Sequence, residues 1–260
     1  MALSIVQAPR TKGGPWEIVP PKGVAHTATV IFLHGLGGAG DGWLWLGNEV
    51  GNVTALEGIK WVLPTAPTRA ITVNMGQEMP GWYNVLRMDS SDAPRPEDEE
   101  GLFESVSRIH AMIDEELECT TIPSERIVVA GFSQGAALTL AAGLTYGKKL
   151  AGLAPCSGYL MCKDSVEKAK SAHVPQLPIF LAHGREDNVV GLARSIKTVE
   201  ALKESFGYQV ATDTEAKEGF VTLKNYDGLD HSFSEEEAQD FGRWLESLLF
   251  AKKGKEAGSV

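Results

Sequence analysis

The stretch Ile127-Val128-Val129-Ala130-Gly131-Phe132-Ser133-Gln134-Gly135-Ala136-Ala137-Leu138 runs from an apolar segment into a serine with glycines two residues away on either side, then into small helix formers. A buried strand turning sharply into a helix has this composition. On this stretch alone Ser133 is either a nucleophile presented at the turn or a small residue that suits a tight connection. With 28 glycines in the chain, a G-x-S-x-G match arises by chance at roughly 0.2 per sequence of this composition. Partners elsewhere must decide.

Outward from the motif, strand-like and helix-like runs alternate. Residues 28–33 (ATVIFL) form an apolar run ending in His34-Gly35, and residues 59–63 (IKWVL) a second, stopped by Pro64. Residues 97–120 carry Leu102, Val106, Ile109, Ile113 and Leu117 at helical spacing, with acids at the start, where a helix dipole favours them. Further strands are expected at 127–130, 150–155, 178–182 and 220–226. A small-residue helix is expected at 136–144, and Val189, Leu192, Ile196, Val199 and Leu202 mark another. Ser234-Glu235-Glu236-Glu237 reads as a capping box opening a last helix with Phe241, Trp244, Leu245 and Leu248 on one face. This alternation predicts a mostly parallel sheet with helices on both faces, in one domain over 1–260 with its core at about 28–250. Residues 65–95 read as an elaborated loop, and 251–260 as a mobile tail.

The formal charge of −10 argues against nucleic acid, because phosphate neutralisation needs clustered Lys and Arg. No apolar run is long enough to span a bilayer, and the N-terminal stretch lacks the pattern of a signal peptide; Ala2 excludes an N-myristoyl glycine. Cys119, Cys156 and Cys162 form no C-x-x-C pair, so reduced, buried thiols in the cytoplasm are expected, with the nucleus as a second compartment.

In an open parallel sheet, ligands sit beyond the carboxyl ends of the strands. Ser133, Asp187, His231 and the stretch His34-Gly35-Leu36-Gly37-Gly38 all follow predicted strands. The order Ser, Asp, His is that of the α/β-hydrolases. A serine hydroxyl needs a base to remove its proton during attack, an imidazole can take and return it, and a carboxylate fixes the tautomer. The backbone N–H groups of Gln134 and Leu36 are the candidate oxyanion donors. His34 and His183 read as supports for turns, while His26, His110 and His173 have no special placement. Asp227 and Asp230 lie close in sequence to His231, whereas Asp187 comes from a different strand end. His183 and Asp187 lack a third ligand of sensible spacing, so neither metal nor cofactor is expected.

With these residues placed, the chain resembles the acyl-protein thioesterase family, small carboxylesterases and lysophospholipases within the α/β-hydrolases. The matching stretches are IFLHGLGGAGDGW from Ile31, LPTAPTRAITVNMGQEMPGWYN from Leu63, RIVVAGFSQGAAL from Arg126, PIFLAHGREDNVV from Pro178 and YDGLDHSFSEEE from Tyr226. The resemblance implies Ser133, Asp187 and His231 as a catalytic triad, with Leu36 and Gln134 as oxyanion donors. It further implies S-palmitoylated proteins as substrates, with lysophospholipids and simple esters as alternatives. Leu36, Met75, Met79, Trp82 and Tyr83 would line the acyl site, the stretch around Met75, Met79, Pro80, Trp82 and Tyr83 forming a loop that lies over it. A monomer or weak homodimer with transient membrane contact through that loop is expected. A non-catalytic lipid- or peptide-binding protein on the same scaffold is the rival reading. Gly38, Tyr83-Asn84, and Asn188 with Gly191 depart from the family pattern; none is a triad member, and the first two fall where substrate preference would be set.

Overall fold

The computed structural model describes residues 14–51, 54–88 and 95–250. Within these, β1 (Trp16–Ile18), β2 (Ala28–Leu33), β3 (Ile59–Leu63), β6 (Ile127–Phe132), β7 (Gly152–Cys156), β8 (Ile179–Gly184), β9 (Gln209–Ala211) and β10 (Phe220–Tyr226) form one sheet. Its order is β1-β3-β2-β6-β7-β8-β10-β9, parallel throughout except for β1 against β3. Strands β4 (Thr68–Ile71) and β5 (Gln77–Pro80) pair separately as an antiparallel hairpin. The helices are α1 (Leu44–Gly51), α2 (Glu99–Cys119), α3 (Gln134–Thr145), α4 (Lys163–Lys168), α5 (Leu192–Phe206) and α6 (Glu235–Phe250). Among the described residues, no helix is long and apolar enough to cross a membrane.

The period of two along a strand divides the core. Ile31, Leu33, Ile127 and Val129 pack with Leu102, Ile109 and Ile113 of α2, the apolar face of α3, and Val199 and Leu202 of α5. Their alternates Val30, Phe32, Val128 and Ala130 pack with Leu46 and Val50 of α1 and with Phe241, Trp244 and Leu245 of α6. Both faces are covered, which explains why the central strands read as continuous apolar runs.

Several expectations are corrected. Strands β1 and β9, of three residues each, are too short to show periodicity. Helix α1 was hidden by Gly47, which belongs there for packing: a Cβ would stand 2.4 Å from the Ile18 Cδ1. The expected loop at 65–95 holds the β4–β5 hairpin, whose exposed strands lack an apolar alternation. In the region of α5, Val189 precedes the helix and Ile196 is exposed on it; Ser195, Thr198, Val199 and Leu202 face the core instead. Cys119 is exposed at the end of α2, Cys162 half-buried and Cys156 buried, all three unpaired. The tail at 251–260 lies outside the described residues.

The capping box is half-formed. Ser234 Oγ accepts the Glu237 N–H at 3.1 Å, whereas the buried Glu237 carboxyl, with the Cys156 thiol and the Ser234 backbone N–H beside it, makes no hydrogen bond of normal geometry. Burial, with Asp240 nearby, raises this carboxyl from its ordinary 4.5 to about 8. Below pH 4.5 folded and unfolded chains both hold the proton, so the group is neutral to stability. Between 4.5 and 8 the unfolded chain releases its proton first, and stability falls as pH rises, by up to a few kcal/mol. Glu237→Gln is therefore expected to melt close to the wild type at pH 4.5 and several degrees above it at pH 8.5. A difference in Tm that does not widen with pH would contradict this.

Candidate active site

Strand order brings the candidate residues together. From β2 the chain steps to β3 on one side and then crosses to β6 on the other, so a crevice opens where β2 and β6 diverge at their carboxyl ends. Leu33 pairs with Gly131 across this point, setting the loop after β2 beside the turn after β6. On the next strands, Gly184 of β8 pairs with Tyr226 of β10. Their following loops are laced by Arg185 N–H to Tyr226 O at 2.9 Å and Glu186 N–H to Leu229 O at 3.1 Å. Asp187 and His231 thus emerge side by side from different strands.

Ser133 stands between β6 and α3 with φ +57° and ψ −116°, a backbone state that a non-glycine residue adopts only when its surroundings enforce it. The flanking glycines serve close approach rather than their own turning. A Cβ on Gly135 would lie 2.1 Å from the Leu33 carbonyl oxygen, and one on Gly131 would lie 2.7 Å from the Gly135 carbonyl. The Ser133 N–H is held by Cys156 O at 2.9 Å. Its Oγ lies 2.8 Å from His231 Nε2, and His231 Nδ1 lies 2.7 Å from Asp187 Oδ2. The N–H groups of Val189 and Val190 both donate to Asp187 Oδ1, at 2.9 and 2.8 Å. Burial of Asp187 favours the neutral acid, but hydrogen bonds from His183, His231 and the Val190 backbone outweigh it and hold the carboxyl well below the ordinary range. It is an anion at any working pH. Buried His183 acts on this loop, with Nε2 at 2.6 Å from Val190 O and 3.3 Å from Asp187 Oδ2.

Leu36 and Gln134 both line the cleft at Ser133. Gln134 opens α3, where the first N–H groups have no intrahelical acceptor. In the loop after β2, Gly37 N–H donates to Pro80 O at 2.8 Å and Gly38 N–H to Gly35 O at 3.1 Å; among the described residues, no backbone carbonyl accepts from Leu36 N–H. Buried His34 fixes the loop: Nε2 accepts the Ala66 N–H at 2.9 Å, so Nδ1 carries the proton donated to Gly35 O at 2.6 Å. Burial lowers its pKa and keeps this neutral form.

A second clamp was not legible in the sequence. The Gln134 side chain accepts from Trp82 N–H at 2.9 Å and donates to Tyr83 O at 2.7 Å. The Trp82 indole N–H donates to His34 O at 2.8 Å, and Ser105 Oγ donates to Trp82 O. Trp82 is therefore buried and structural, not part of a pocket wall. Met79 Sδ sits under Gly37, and Met75 projects from the hairpin turn with 98% of its surface exposed. Of the residues expected around an acyl chain, Leu36 and Tyr83 line the cleft that opens at Ser133. This cleft encloses about 570 Å³ of space open to solvent, and Val85, Tyr159, Met161 and Val190 also line it. Tyr159 and Met161 follow β7, a strand end, which was the available signal; Val85 carried none. Of the departures from the family pattern, Asn84 exchanges two hydrogen bonds of 2.8 Å with Thr72 and closes the hairpin base. A Cβ on Gly38 would lie 3.1 Å from Gly35 O, and Asn188 caps the Glu186 carbonyl at the surface.

The sheet, the elbow and the Ser–His–Asp alignment define a serine hydrolase of the α/β-hydrolase fold. A model of the Phospholipase/Carboxylesterase family matches residues 15–249, and the chain belongs to that family. It is 38% identical over 229 residues to an acyl-protein thioesterase 1 of Yarrowia lipolytica, covering 88% of this chain and 95% of that one. Identity to the Schizosaccharomyces pombe acyl-protein thioesterase 1 is 46% over 167 residues, 64% and 71% of the two chains. Among solved structures, Arabidopsis thaliana SOBER1 superposes with a TM-score of 0.77 at 29% identity, covering 86% of this chain and 99% of that one. Zea mays acyl-protein thioesterase 2 gives 0.72 at 26%, covering 92% and 100%.

Trp82→Phe keeps the buried ring but orphans the His34 carbonyl, at a cost of roughly 1–3 kcal/mol. Its Tm is expected to fall by several degrees, and turnover of a nitrophenyl ester to fall through kcat rather than KM, because the clamp orients the loop and not the acyl chain. An unchanged Tm and kcat would show that the clamp does not hold the loop.

Proposed function

We propose that this protein is a cytoplasmic acyl-protein thioesterase that removes long-chain acyl groups from S-acylated cysteines through an acyl-enzyme on Ser133. The observation that carries the reading is the continuous hydrogen-bonded line from Ser133 through His231 to Asp187, standing at the mouth of a largely apolar cleft. The names of the relatives support the substrate class.

In this mechanism His231 Nε2 takes the Ser133 proton as Oγ attacks the thioester carbonyl carbon. The oxyanion receives the N–H groups of Leu36 and Gln134, fixed before the substrate arrives. As the carbon–sulfur bond breaks, His231 returns the proton to the departing cysteine sulfur. Water then attacks the acyl-serine with His231 again as base, releasing the fatty acid and restoring Ser133. Asp187, anionic throughout, holds Nδ1 protonated and stabilises the imidazolium. Apolar side chains of the cleft take the acyl chain from water. Met75 at the hairpin tip supports transient contact with a membrane, because a wholly exposed methionine gains from entering an apolar interface.

A fluorophosphonate is expected to add once per chain at Ser133, with no adduct on Ser133→Ala. Hydrolysis by Ser133→Ala or His231→Ala should fall at least about 10³-fold. Among acyl thioesters and oxygen esters of matched length, kcat/KM should rise with chain length and favour the thioesters. A sharp preference for short oxygen esters would sink the thioesterase reading in favour of a general carboxylesterase. Well-folded protein that takes no adduct and turns over no ester would be a binding protein. Met75→Asp should release the protein from liposomes if the hairpin tip makes the membrane contact; unchanged sedimentation would exclude that tip.

A further inference from the structure

Against His231, and outside the lining of the acyl cleft, lies a set of aromatic rings that the hydrolytic steps do not use. The Phe132 ring stands 4.9 Å from the His231 imidazole, centre to centre. It contacts Trp43 at 5.5 Å, and Trp43 continues to Phe233 at 5.5 Å and Trp45 at 6.0 Å. Core packing explains rings that are sealed from water, such as Phe180 of β8 with Phe241 and Trp244 of α6. Trp43 and Phe233 also rest on the core through Phe32, at 4.5 and 6.2 Å, but packing does not explain Trp45, which is 37% exposed and joined through them to the histidine.

The rings lead toward negative charge. Trp45 and Glu49 are four residues apart on α1 and share a face. Glu49, Glu235 and Glu246 line a groove of about 530 Å³ beside α1 and α6, together with Arg243, whose guanidinium is already engaged by Asp240 at 2.5 Å. The chain as a whole carries −10.

We propose that the surface running from His231 over Trp43, Phe233 and Trp45 to this groove is the leaving-group subsite. It seats the peptide that carries the acylated cysteine and favours peptides with lysine or arginine near that cysteine. The inference rests on the thioesterase reading, and chemistry fixes the side. His231 protonates the departing sulfur, so the peptide must lie against the histidine while the acyl chain occupies the cleft lined by Leu36 and Tyr83. The exposed Trp45 indole offers a stacking face to ammonium and guanidinium groups. Carboxylates around the groove supply the complementary field, and draw basic peptides in from solution.

The test uses one acyl chain on three thiols: N-acetylcysteamine, a short cysteine peptide with flanking lysines and arginines, and the same peptide with serines in their place. At low ionic strength the wild type should show kcat/KM at least about 10-fold higher on the basic peptide than on the serine peptide, a margin that shrinks as salt screens the carboxylates. For Trp45→Ala, and independently for the double variant Glu49→Gln/Glu235→Gln, the ratio of basic-peptide to N-acetylcysteamine kcat/KM should fall about 5- to 10-fold. A merely structural role would lower all three substrates together and leave the ratio unmoved. Equal rates on the basic and serine peptides, or an unmoved ratio in both variants, would overturn the proposal while leaving the thioesterase reading intact. Hydrolysis of oxygen esters but of none of the three thioesters would overturn that reading and this inference with it.

Discussion

Gly135, in the first turn of α3, lies so close to β2 that a Cβ there would stand 2.1 Å from the Leu33 carbonyl oxygen. The rest of the site follows from this backbone contact. It pins the start of α3 against the end of β2, and so sets the Gln134 N–H beside the loop that carries Leu36. It also forces the chain between Gly131 and Gly135 through the left-handed turn at Ser133. Gly158 presses from the far side, where a Cβ would meet the Ala136 Cβ at 2.5 Å. With both walls backbone-tight, the serine has one place to stand, and the hydroxyl points outward to His231. Any side chain at Gly131 or Gly135 would have to push two elements of the sheet core apart, which close packing resists.

Around that fixed point the protein spends polar groups to hold loops in place. His34, Gln134, Trp82 and Ser105 join the loop after β2, the start of α3, the segment after the hairpin and α2 in one buried network. Each donor and acceptor in it has its partner, which is what makes a buried network rigid. On the other side, His183 Nε2 and two backbone N–H groups set the carboxylate that faces His231. The pieces offered for reaction are therefore organised before any ligand arrives, as electrostatic stabilisation of a transition state requires.

The histidine divides the surface. Toward Leu36 and Tyr83 lies a cleft with apolar walls and Arg87, Arg95 and Glu97 also on its lining; toward Phe132 and Phe233 lie the rings and the groove with its three glutamates. Residues that depart from the family pattern, Asn84 and Asn188, sit in the connecting segments and keep them closed through local hydrogen bonds. None displaces a group in the line from Ser133 to Asp187.

By itself the sequence determined the parallel sheet, its two covered faces, the turn at Ser133 and the residues brought to the strand ends. These follow from local facts: apolar runs of strand length, helical spacing, and glycines where backbones must touch. The short strands β1 and β9, helix α1 with its internal glycine, and the hairpin of exposed strands left too little periodicity to read. Which side chains face the cleft was decided by tertiary structure alone. Trp82, Met79 and Tyr83 stand on one segment with similar apolar character, yet one is a clamp, one a prop and one a wall. Their roles depend on where Gln134, Gly37 and Tyr159 lie, tens of residues away. The Gln134 side chain shows the same limit: beside the nucleophile its N–H was predictable from position, but its amide finds Trp82 and Tyr83 only because α3 is seated on β2. Contacts distant in the chain leave no period in the sequence, and the packing of the folded core supplies them.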